Sequence, residues 1–264
     1  MRNVNYMWNR RAVLLGESFS SVMEQSFPQV VNKAVHDIHI REILRAMPEG
    51  TKRVLDVGCG WGRIATDVAQ KQNVHVSGID ISSHFVKLFN KRLKEQGKAV
   101  VGDMRQIPFG DNVFDLVYCV VSLMYLSSKQ DQKKALTEIM RVLKKDGVLI
   151  LIEPNYWGVQ LVRLGGLVPF MYRIILGKPK VETYGGSFYI DHLETLIRKS
   201  KGMLIEKKGY PSLTLFLLPA VFIGRIFPKA TKIVLQVLSF FDQLFNITSF
   251  SYFVTWIIKK TTPQ

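Results

Sequence analysis

Cysteine is nearly absent from this 264-residue chain: Cys59 and Cys119 are the only two. Both stand inside apolar segments, so they read as buried thiols of a reducing compartment, and a disulfide framework is excluded as the organiser of the fold. Long unbroken apolar runs are missing too. The two most hydrophobic stretches, 155–187 and 213–245, are interrupted by Arg163, Arg173 and the Gly165-Gly166 pair in the first, and by Pro219, Arg225, Pro228, Lys229 and Lys232 in the second. Neither reaches the roughly 18 uninterrupted apolar residues of a membrane-spanning helix. The first eleven residues mix Arg, Asn, Tyr and Trp without an apolar core and do not read as a secretory signal, so the expected location is cytoplasmic. Acidic residues are in short supply, 21 against 36 Lys and Arg, which leaves a formal charge of +15. Such a surface attracts anions over about a Debye length, admitting an anionic membrane face as a peripheral partner. Nucleic acid is the weaker partner, because no RNA- or DNA-binding motif accompanies the charge.

What is present is a repeating rhythm. Apolar runs at 54–57, 74–79, 99–102, 114–121 and 147–153 read as strands, and amphipathic stretches at 64–70, 85–96 and 130–143 as the helices between them. Gly97 and the Asp146-Gly147 pair punctuate the pattern. Alternation of this length predicts a parallel sheet covered by helices on both faces. A further helix is predicted over 28–47, with Val31, Ala34, Val35, Ile38, Ile43 and Leu44 on its buried side. The expected organisation is a helical lid over 1–48 and an α/β domain over 49–264 carrying the two apolar insertions.

The chemistry concentrates at the strand ends. Asp56 closes the first strand and is followed by Gly58, Cys59, Gly60, Trp61 and Gly62, with glycine at alternate positions where a tight turn must let a ligand approach the backbone. A dinucleotide fingerprint needs a third glycine at position 63, and that residue is Arg63, which argues against a nicotinamide oxidoreductase. Asp80 with Ile81 ends the second strand 18 residues after Gly62, placed to accept from a ribose diol. Asp103 with Met104 follows the third and is placed to accept from an adenine amine. Three acids at three successive strand ends would line one edge of the sheet.

These stretches resemble the class I S-adenosylmethionine-dependent methyltransferases, above all the quinone-biosynthesis and small-molecule branch. The resemblance covers about 52–154, and more loosely 188–210. It implies a Rossmann-like, seven-stranded, mostly parallel sheet, with 203–210 and 250–258 as its last two strands and the second insertion between them. It also implies that Asp56, Gly58 and Gly60 border the methionine part of S-adenosylmethionine, Asp80 and Ile81 the ribose and adenine, Asp103 and Met104 the adenine edge, and Cys119 and Val120 the sulfonium. The expected acceptor is a small lipophilic molecule: a quinone, isoprenoid, lipid or secondary metabolite. Two alternatives stand beside it: a membrane-associated cofactor-binding protein without activity, and, more weakly, an RNA or protein methyltransferase. Related enzymes often carry a histidine where this chain has 122–126, and here there is none. Tyr125 and Glu153 are the candidates for acceptor contact or base. His36 and His39 lie three apart on the predicted helix, but no further ligands accompany them, so no metal is expected.

Overall fold

The computed structural model describes residues 2–25, 27–165, 188–210, 226–244, 246–249 and 251–260. Residues 166–187 and 211–225, and with them Arg173, Lys178, Lys180, Tyr184 and Arg225, lie outside the described residues.

The chain opens with three helices, α1 (Arg2–Leu15), α2 (Phe19–Val22) and α3 (Gln29–Ala46). The alternating unit follows: β1 (Arg53–Val57), α4 (Arg63–Gln72), β2 (His75–Asp80), α5 (Ser83–Leu93), β3 (Gly97–Val101), β4 (Phe114–Val120), α6 (Lys129–Val142) and β5 (Leu143–Pro154). Then come α7 (Tyr156–Gly165), α8 (Ile190–Lys199), β6 (Gly202–Tyr210), α9 (Pro228–Leu244) and β7 (Phe253–Lys260). The helix starts are locally encoded. Ser82 Oγ accepts from Phe85 N at 3.2 Å and Ser128 Oγ from Asp131 N at 3.0 Å, capping α5 and α6. Pro28, which cannot donate to a helix, stands immediately before α3.

The sheet order is β3-β2-β1-β4-β5-β7-β6, with parallel pairing from β3 through β5 and β7 running antiparallel to both of its neighbours. This is the Rossmann-like arrangement expected, with the two final strands where they were placed. Central strands hidden on both faces need continuous apolar sequence, and Val54, Leu55 and Val57 of β1 are each fully buried. Two clusters fill the faces: one holds Val31, Val35, Ile64, Val68 and Phe89 of α3, α4 and α5, the other Leu136, Ile139, Leu193 and Ile197 of α6 and α8. Helix α1 gave no apolar signal of its own, since it packs by only a few side chains, including Ala12, with Trp8 beside Phe85.

Candidate active site

The carboxyl ends of β1, β2, β3 and β4 form one edge of the sheet, and a cleft opens there between that edge and the amino-terminal helices. It encloses about 1210 Å³ of non-atom space, its open mouth included. Gly58, Gly60 and Gly62 all have positive φ, at 77, 52 and 83°. At Gly58 a Cβ would lie 2.2 Å from Ser122 Oγ, so any side chain would drive into the opposite wall. The turn is fastened to β2: Gly58 N and Cys59 N donate to Ile79 O at 2.8 and 3.1 Å, and Gly60 N donates to Asp80 Oδ2 at 2.9 Å.

The three acids lie together on the cleft wall and differ in their surroundings. Burial pushes Asp56 up to about 8, partly offset by the neighbouring Tyr118 hydroxyl and Arg63 guanidinium. Burial also raises Asp80, to about 6, against the pull of backbone N–H groups; Ser82 N donates to its Oδ1 at 2.8 Å. Asp103 is held below its ordinary value by Arg105, which donates from Nε to Oδ1 at 2.9 Å and from its own backbone N at 2.9 Å. Arg105 Nη1 also reaches Asp131 Oδ1 at 3.0 Å. Ion pairing, with no bound group, therefore already fixes the third acid.

Gly58, Cys59, Gly60, Ile81, Met104, Val120 and Tyr125 also line the cleft. Cys119 does not: it is fully buried among Leu55, Leu149 and Leu151, on the other side of β4 from Tyr118 and Val120, as strand alternation requires. Glu153 is fully buried behind the wall. Its Oε1 accepts from Ser122 N at 3.1 Å and Leu123 N at 2.8 Å, and burial raises it to about 8. Val121, between β4 and these amides, has φ 52°, a left-handed conformation rare for a β-branched residue.

Several lining residues carried no recognisable signal. Val4 and Trp8 come from α1 and Val22 from α2. Trp8 meets Tyr125 edge-on at 4.9 Å and is covered by Arg11 at 5.0 Å, while Asn9 Oδ1 accepts from Ser82 Oγ at 2.9 Å. Trp61 donates to Ser18 O at 3.2 Å, tying the glycine turn to the same amino-terminal segment. His36 and His39 bond to Arg63 instead of gathering further ligands, and no cluster able to hold a metal occurs among the described residues.

Residues 55–151 match the family model described as a methyltransferase domain. The match covers 97 of the 264 residues, and over them the chain is similar to a methyltransferase domain. The glycine turn beside Asp56 and Asp80 leaves a concavity that a side chain at Gly58 would fill. Over 112 residues the chain is 35% identical to the demethylmenaquinone methyltransferase of Thermotoga maritima, covering 42% of this chain and 46% of that protein. The chain spans about half the length of the curated relatives it matches. The fold is shared with solved methyltransferases. A geranyl diphosphate methyltransferase solved with GPP and sinefungin superposes with a TM-score of 0.65 at 13% identity, covering 98% of each chain. The magnesium protoporphyrin IX methyltransferase of Synechocystis PCC 6803, solved with bound SAH, gives 0.62 at 14% identity over 98% of this chain and 99% of that one.

Proposed function

We propose that this protein transfers a methyl group from S-adenosylmethionine to a small lipophilic acceptor. The observation that carries the reading is the cleft itself, lined both by a glycine turn with three strand-end acids and by the apolar side chains of Val4, Trp8, Val22, Phe85 and Leu126. When bound, S-adenosylmethionine supplies a methyl group already activated on a sulfonium. The protein's own share is then orientation and exclusion of water, which together lower such barriers by roughly 7–11 kcal/mol. Asp80 accepts from the ribose diol, Asp56 faces the amino-acid end, and Met104 and Ile81 flank the adenine. Residues 1–48 act as the lid, with Trp8 as its contact across the cleft to Tyr125.

The lipophilic class is supported by the apolar lining of the cleft and by the likeness to a demethylmenaquinone methyltransferase. Peripheral attachment to an anionic membrane fits the same acceptor. No described helix is long and apolar enough to cross a membrane. Helix α9, however, turns Thr231 and Leu238 inward while Ile233, Val237 and Phe240, spaced at about one helical turn, point outward at 62, 50 and 57% exposure. Exposed Lys229 and Lys232 flank that stripe, the pattern of an interfacial helix. The test is transfer of isotope-labelled methyl from S-adenosylmethionine to a membrane lipid extract. Label moving into an organic-soluble product supports the reading, and label moving only to protein or RNA refutes the acceptor class.

A further inference from the structure

Arg63 begins α4, lines the cleft and is only 8% exposed. Two of its five N–H donors meet imidazoles: Nη1 lies 2.9 Å from His36 Nδ1 and Nη2 3.2 Å from His39 Nδ1. Burial and the guanidinium hold both histidines well below their ordinary value, His36 at about 4, so they accept as neutral rings. With each Nδ1 accepting, hydrogen sits on Nε2, and His36 Nε2 donates to Asp67 Oδ2 at 3.1 Å. Neither partner neutralises the guanidinium. Among the described residues Arg63 forms no salt bridge, and Asp56 and Asp67 act on it only through space. The cleft's other cation, Arg105, is engaged by Asp103 and Asp131.

A buried cation without an anion is costly, and a fold that goes to the length of orienting it with two histidines has a use for the charge. The cofactor supplies the missing partner, because its amino-acid end carries one ammonium and one carboxylate. Asp56, buried on the same wall, matches the ammonium. We infer that Arg63 receives the carboxylate of the cofactor's amino-acid end, with His36 and His39 as positioning residues that hold its guanidinium. The inference rests on the proposed use of S-adenosylmethionine and adds to it a division of charge: an acid from the end of β1 for one group, a base from the start of α4 for the other. It also explains the residue that breaks the dinucleotide fingerprint, since a third glycine would remove the cation.

The experiment is calorimetric binding of S-adenosylhomocysteine and of its decarboxylated analogue, which keeps the adenosine and the ammonium, to wild type and to Arg63→Gln. Wild type is expected to prefer the complete ligand by about ten- to a hundredfold, the range of a charge-assisted bidentate contact. Arg63→Gln should lose that factor for S-adenosylhomocysteine and bind the analogue within about threefold of wild type, so that the preference collapses. Equal loss of both ligands in a folded variant overturns the assignment, because a merely structural arginine would do that. Should Arg63→Gln fail to fold, wild type decides alone: equal affinity for the two ligands overturns the assignment. Binding of neither ligand by folded wild type fails the cofactor reading itself and is thereby distinguishable.

Discussion

Glu153 provides the sharpest quantitative test, because one substitution separates its charge from its hydrogen bonds. Its Oε1 holds the amides of Ser122 and Leu123, whereas among the described residues Oε2 has no partner. Burial raises the carboxyl from its ordinary 4.5 to about 8. An acid whose pKa is raised by folding binds its proton more tightly in the folded state, so it costs nothing below pH 4.5 and destabilises progressively as pH rises towards 8. At one pKa unit per about 1.4 kcal/mol, the cost approaches about 3 kcal/mol at pH 7. Glu153→Gln keeps the oxygen that both amides need and removes the charge. It should match wild type at pH 4.5–5 and become more stable by up to about 1.4 kcal/mol per pH unit until about pH 8. The assay is urea unfolding of both proteins at pH 5, 6, 7 and 8. Asp56 and Asp80, also raised by burial, contribute equally to both and cancel in the difference. A difference that stays flat with pH, or that falls, refutes the reasoning.

Gly58→Ala combines a φ of 77° with a Cβ 2.2 Å from Ser122 Oγ; it should cost about 1–3 kcal/mol of stability and at least tenfold in S-adenosylhomocysteine affinity by calorimetry. Trp8→Ala removes the edge-on contact to Tyr125 and the seat of Arg11; cleavage of residues 2–23 by trypsin should become faster and no longer slow on adding S-adenosylhomocysteine. Charging the outward stripe of α9 with Ile233→Glu and Phe240→Glu should abolish flotation with anionic vesicles while leaving cofactor affinity unchanged. Flotation that persists in this double variant removes α9 as the membrane contact.

The parts of the fold that were legible are those that follow from one dominant local cause. Val54, Leu55 and Val57 are apolar because β1 is hidden on both faces, and Ser82 and Ser128 cap helices within a few residues of themselves. The acids at the strand ends were legible because strand, turn and helix succeed one another in order. Illegible features depend on distant partners. Trp8 reaches the cleft only because α1 docks by Asn9 on the start of α5, 73 positions away. The resemblance assigned both Cys119 and Val120 to the sulfonium, but strand parity turns neighbouring side chains to opposite faces, and only Val120 lines the cleft. Arg63 was visible only as a missing glycine, since its meaning lies in two histidines 24 and 27 positions earlier.

The reversed strand β7 has a consequence for how this molecule can diversify. Because β6 runs with β1 to β5 and β7 against them, the connection from Tyr210 to Phe253 leaves and re-enters the sheet at the edge that carries Asp56 and Asp80. The connection that follows Pro154 departs from that edge too. Both can be lengthened, exchanged or rewritten beside the cleft without altering a single pairing among β1, β2 and β4. On the proposed function, changes in these two connections would alter the acceptor side of the cleft and leave the turn at Gly58 to Gly62 in place.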